Sequence, residues 1–157
     1  MQANSKLTLG SASTIIDTAL AKGREVELLP LTVVVLDSGG NLLALKREDG
    51  SGIMRPQVAI GKAWGSLGMG VSSRTLRDRL ADRPTFLNAL ATVSGGRLVP
   101  VPGGVIIRNR SGEILGAVGI SGDASDKDEF CAISGVEAAG FQPDPAKPSP
   151  NWQKASL

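Results

Sequence analysis

A chain of 157 residues with 41% hydrophobic and 20% charged side chains has enough apolar material for one domain with a real core. Its net charge of +2 is too small to argue for nucleic acid or an anionic membrane as a partner, and no apolar run approaches the roughly 20 residues that span a bilayer. There is no histidine, no tyrosine and one cysteine, Cys131, which removes any intramolecular disulfide framework and every Ser-His-Asp or Cys-His arrangement, and leaves no metal site to expect. Acid–base chemistry would fall to carboxylates, lysine, the thiol or bound water. The opening MQANSKLTLGSAS lacks the charged-then-apolar layout of a secretion signal, so the cytoplasm is the default expectation.

The first element is a helix over Leu9 to Lys22, with Ile15, Ile16, Ala19 and Leu20 on one face and Ser11 or Ser13 as cap. Gly23 closes or kinks it. Leu31 to Leu36 is a β-branched strand, Ser38-Gly39-Gly40-Asn41 a hairpin turn with Asp37 in an Asx-type role, and Asn41 to Arg47 the returning strand. The middle is helical: Val58 to Met69, a break at Gly70, Ser73 to Leu80, and a short helix from Pro84 to about Thr92. Within it, Arg74, Arg77, Arg79 and Arg83 alternate with Asp78 and Asp82 as on a solvated face.

Pro102-Gly103-Gly104 then forms a tight loop whose glycine amides no side chain of their own shields. It leads into strands Val105 to Arg108 and Glu113 to Ser121, joined by a turn at Asn109 to Gly112, and a final helix runs from Ser125 to about Ala139. Four prolines between Pro143 and Pro150 forbid a helix or a central strand in FQPDPAKPSPNWQKASL. That segment is expected as disordered chain or as an arm clasping a second subunit through Phe141 and Trp152. The expected organisation is one domain over residues 1–140 and a proline-rich tail over 141–157. The order helix, hairpin, helices, hairpin, helix predicts an α+β sandwich with an antiparallel sheet. Gly68-Met69-Gly70 falls late in a helix, so a dinucleotide fingerprint is unsupported.

VVVLDSGGNLLALKREDG (Val33 to Gly50), the small-residue helix with Lys62-Ala63, VPGGVIIRNRSGEILGAVGISG (Val101 to Gly122), and Asp128-Glu129 opening the last helix occur in an order that resembles the GlcG/HbpS-like family, also called the haem-degrading domain family. The likeness covers about Leu7 to Gly140. It implies a profilin-like α/β sandwich, an antiparallel sheet of about five strands with flanking helices, and assembly as a dimer or larger homo-oligomer. Some family members bind haem, and others have no settled role, so fold alone does not fix function. This chain departs from the family pattern in having no histidine to ligate haem, an unusually glycine-rich helix after Arg55 (Gly61, Gly65, Gly68, Gly70), and the proline-rich extension.

Each candidate site residue has a structural alternative. Gly61 and Gly65 lie four apart in a helix, where each glycine costs roughly 1 kcal/mol relative to alanine, so something presses close: a ligand, the sheet or a partner's helix. Lys62 is a candidate base or carboxylate anchor if partly buried, and an ordinary ion-pair lysine otherwise. Arg55 offers a fork of donors for a carboxylate, against a structural pair with Glu48 or Asp49. Asp128 or Glu129 would face a pocket under Pro102, Gly103 and Gly104 as acid or base, against a Ser125-x-x-Asp128 capping box and favourable charge in a first helical turn. Cys131, Met54 and Met69 read as core filler.

Three functions compete. The first is a homo-oligomer binding an anionic organic molecule through Arg55, Gly61, Gly65, Lys62 and the glycine loop, with haem as one candidate ligand and no cofactor required. The second is a cofactor-free lyase, hydratase or isomerase acting on a small hydroxy or keto acid. There Lys62 with Asp128 or Glu129 would move the proton, and the Gly103 and Gly104 amides would stabilise developing charge. The third is a non-catalytic scaffold using Trp64 and the proline arm.

Overall fold

Residues along the central strands point alternately to two unlike faces, and the difference between those faces positions the site. The computed structural model describes residues 5–157; residues 1–4, part of the stretch read for a secretion signal, lie outside them. In chain order the elements are α1 (Leu9–Glu25), β1 (Thr32–Asp37), β2 (Leu42–Arg47), α2 (Arg55–Met69), α3 (Ser73–Leu80), α4 (Pro84–Val93), β3 (Gly104–Arg108), β4 (Ile114–Ser121), α5 (Ser125–Ala138) and β5 (Gln142–Asp144). The five strands form one antiparallel sheet in the order β2-β1-β4-β3-β5, the α+β sandwich that the sequence predicts.

On one face Val33, Val35, Val105, Ile107, Val118 and Ile120 are buried against Ile15, Ile16 and Ala19 of α1 and Cys131, Ala132 and Val136 of α5. Each such branched chain contributes about 1.5–3 kcal/mol on full burial. The other face is thin: Val34, Leu36 and Ala117 meet Ala59 and Ala63 of α2. Gly104 and Gly119 make it thinner still. A Cβ on Gly119 would strike the Ala59 carbonyl, and one on Gly104 the Lys62 carbonyl. The α2 backbone therefore rests directly on the sheet, which brings the side chains of Arg55 and Lys62 to its end.

Several local expectations are corrected. Thr8 rather than Ser11 or Ser13 caps α1, and Ser11 answers as the third residue of a capping box. Gly23 does not end that helix, which continues to Glu25. It is glycine because a side chain there would collide with Leu31. α2 begins three residues early, at Arg55, with Pro56 accommodated in its first turn and Gly70 closing it in the left-handed region at φ 70°. Asp37 behaves as expected, its carboxylate accepting from the Gly39 and Asn41 amides.

The tail packs on its own chain. Residues 142–144, in the segment read as tail, are an edge strand paired with β3, and Arg108 holds Asp144 at 2.9 Å. Phe141 is buried in the core, and Trp152 stacks on Phe130 with ring centroids 3.8 Å apart. α4, by contrast, carries Phe86, Leu87, Leu90 and Val93 and has no buried residue. Among the described residues no helix is long and apolar enough to cross a membrane.

Candidate functional site

The chemistry-bearing residues gather at the end of the sheet where β4 runs into α5. Lys62, on the sheet-facing side of α2, extends past the β3–β4 rim toward the opposite helical layer. Its Nζ donates to the Ile120 carbonyl at 2.9 Å and to Asp128 Oδ2 at 3.0 Å. The other Asp128 oxygen accepts the Asp123 amide at 3.0 Å. Both side chains are sealed, 2% and 0% exposed. Burial pushes the lysine down, against the opposing pull of Asp128, and pushes Asp128 up to about 6 despite the lysine. An ion pair joining two layers at this depth is held by geometry rather than by net Coulomb gain, since desolvation consumes most of the attraction.

Arg55 stands beside the pair. Its charge acts on Lys62, Asp128 and Asp123, and its guanidinium makes one hydrogen bond, Nη1 to Ser121 Oγ at 3.2 Å. The expected pairing with Glu48 or Asp49 does not form. Glu48 is taken by Arg24 at 3.0 Å and by the Leu31 amide at 2.7 Å. Among the described residues Arg55 therefore has no carboxylate within ion-pair distance, and it is only half-buried.

The glycine loop is built differently from its sequence reading. Pro102, Gly103 and Gly104 are buried, Gly103 with φ 120° against Lys62 and the Ile120 carbonyl. The Gly104 amide is not open, because it donates to Ser73 Oγ at 2.7 Å. Gly103 yields its carbonyl to the Ile120 amide. The loop thus closes the end of the sheet over Lys62, and Gly104 is removed as a donor to developing charge.

Asp128 and Glu129 point apart. Asp128 faces the rim and takes no part in a Ser125 capping box: the N-cap is Ala124, without a side-chain cap bond. Glu129 turns toward α3 and the tail. It is fully buried, and Arg74 Nε lies 3.3 Å from Oε2 without a well-formed hydrogen bond to either oxygen. Burial dominates and lifts its carboxyl to about 7, with Arg74 opposing and Asp126 assisting. Arg74 is thus no solvated charge, which corrects the reading of the arginine run. Its inward turn has no signal in the local sequence.

Gly61 and Gly65 face residues 97–99 of their own chain rather than the sheet. A side chain on Gly61 would strike the Arg97 carbonyl and Val99, and one on Gly65 would strike Leu98, so the small stripe receives the loop before β3. Gly61 also lines a groove of 470 Å³ with Met54, Val58, Ile60, Arg97 and Val99. Arg97 stacks on Trp64 at 3.9 Å from the ring centre. Cys131 is buried with its thiol pushed up to about 12, inert as expected. Met54 and Met69 are 72% and 38% exposed and are not core.

A model of the family described as "Haem degrading protein HbpS-like" matches residues 7–137. The chain belongs to that family. It is 26% identical over 132 residues to an uncharacterized 15.0 kDa protein of the dhaT-dhaS intergenic region of Citrobacter freundii, covering 83% of this chain and 90% of that one. The fold is similar to that of a PduOC:haem complex at TM-score 0.78 and 23% identity, covering 87% of this chain and 96% of that chain. It is also similar to a double mutant of Streptomyces reticuli HbpS at TM-score 0.72 and 25% identity, covering 87% and 89%. Klebsiella pneumoniae ORFY superposes at TM-score 0.77 and 22% identity over 88% and 97%.

Proposed function

We propose that this HbpS-like protein is a homo-oligomer that binds a small anionic organic molecule at the end of the sheet, where Arg55 receives the acid group beside the Lys62–Asp128 pair. The observation that carries this reading is the unpaired guanidinium: four of its N–H donors make no hydrogen bond to a described residue, and no carboxylate among the described residues neutralises it. A buried cation–anion pair behind it fixes the floor of the site without consuming Arg55. The exposed Ile53, 87%, and Met54, 72%, just before Arg55, and the uncovered helix α4 support association between copies.

The similar PduOC structure is a haem complex, and the residues here do not make an iron site. The chain contains no imidazole, its one thiol is sealed, and Met54 and Met69 open onto different grooves.

The test is calorimetric titration with a panel of 2-hydroxy and 2-oxo acids, on the native protein and on Arg55→Gln, with native mass spectrometry for the subunit count. A charge-assisted contact of about 1.5–3 kcal/mol predicts a roughly tenfold to hundredfold loss of affinity in the variant. Equal affinity in both proteins, or binding of none of the acids, contradicts the reading.

A second reading is favoured by one observation, a buried carboxylate with a raised pKa beside the glycine loop. On it, the Lys62–Asp128 pair transfers a proton in a cofactor-free lyase, hydratase or isomerase. Both groups are sealed from solvent, and the Gly104 amide is engaged by Ser73, so binding takes precedence. Turnover of any acid that binds, abolished in Asp128→Asn with the fold retained, would reverse that order.

A further inference from the structure

Glu129 is the one described buried side chain that leaves both polar atoms without a well-formed hydrogen bond. What covers it is the tail. Arg74 Nη2 donates to the Lys147 carbonyl at 2.7 Å, the Ser149 amide is directed at Glu129, and Trp152 stacks on Phe130, the residue next to Glu129. Arg74 therefore serves two acceptors from one edge. Its Nε lies 3.3 Å from Glu129 Oε2, while its Nη2 is held by the tail. An ionised carboxylate pairs best with both donors of one guanidinium edge in parallel. Nη2 spends one of its two N–H bonds on Lys147, so Glu129 and the tail share one guanidinium.

We propose that residues 145–154 are a proton-linked strap: they are fastened over α5 while Glu129 is protonated, and they lift when ionised Glu129, left without a well-formed hydrogen bond beneath them, takes up water. The proton leaves to solvent, and the freed carboxylate is rehydrated or paired. The groups facing Glu129 set where this happens. Arg74 and Arg77 on α3 and the Ser149 amide in the tail favour ionisation, Asp126 on its own helix opposes it, and Lys62 on α2 feels the same carboxylate while bound to Asp128. Burial outweighs the cations and puts the carboxyl at about 7, in the neutral range. The strap holds the outer side of the α5 turn whose inner side carries Asp128, so its release loosens the back of the proposed binding site; the strap itself does not depend on that function.

The test is amide hydrogen exchange over residues 145–154 of the full chain, corrected for intrinsic rates. One coupled proton predicts that opening rises about tenfold per pH unit up to about pH 7 and then levels, so about thirtyfold between about pH 5.5 and about pH 8. Glu129→Gln, which mimics the protonated acid, should stay protected at both values. Equal protection of the native tail at both, or a pH dependence that survives in Glu129→Gln, overturns the proposal. If that variant does not fold, Asp126→Asn removes the carboxylate that opposes ionisation and should move the opening midpoint to lower pH. An unmoved midpoint also overturns it.

Discussion

Asp128 and Glu129 are consecutive carboxylates in the first turns of α5, both fully buried and both raised in pKa, yet they sit in opposite circumstances. Asp128 has Lys62 at 3.0 Å and a backbone amide on its second oxygen. Glu129 has one arginine at 3.3 Å and no well-formed hydrogen bond. Burial alone does not decide what a carboxylate does; the number of donors brought to it does. The first is a structural rivet with its charge retained, and the second is a group held near its titration point.

The largest expected effect comes from breaking the rivet. Asp128→Asn leaves Lys62 sealed beside a neutral amide and should destabilise the fold by about 3–5 kcal/mol, read by denaturant unfolding. Replacing both partners, Lys62→Met with Asp128→Leu, should recover most of that loss. A smaller effect follows from crowding the rivet's neighbour. Gly104→Ala drives a methyl into the Lys62 carbonyl and Ser66 Oγ and should cost about 1–3 kcal/mol.

The same change of acid to amide one residue on should carry a different sign. Glu129 has a folded value of about 7, above its ordinary 4.5, so its contribution to stability is present at low pH and is lost as pH rises through about 7. Glu129→Gln should therefore be close to the native protein near pH 5 and gain on it by about 2–3 kcal/mol by pH 8, as seen in thermal unfolding at the two values. A variant less stable than native at both would erase the contrast between the two positions. The smallest effect is expected at Arg55. Arg55→Gln gives up one hydrogen bond to Ser121 and should change stability by no more than about 1 kcal/mol, whatever it does to ligand affinity.

The sequence makes the fold legible because glycine and proline punctuate it. The Asp37–Asn41 turn, the break at Gly70, Pro84 in the first turn of α4 and the Asn109–Gly112 turn are local decisions that local residues make. The site is legible only as a set of names. Lys62, Asp128 and Arg55 come together, but their partners lie 58 to 66 residues away across the end of the sheet, and no periodicity carries that information. Ser125-x-x-Asp128 has the spacing of a capping box, yet the carboxylate goes to a buried lysine because that alternative would leave Lys62 unpaired. Arg74 has the look of a solvated helix charge, and only the fold brings it beside Glu129 and the tail. The stripe of Gly61 and Gly65 announces a close approach without saying that residues 97–99 make it.

The most direct test of the binding account is a crystal structure of the native protein with the acid that titrates most tightly. The account predicts the ligand carboxylate bidentate on Arg55, at about 2.8 Å from two guanidinium nitrogens, with the Lys62–Asp128 contact intact behind it. An acid found instead against Arg97 in the groove beside Trp64, with Arg55 still bonded to Ser121 alone, would contradict it.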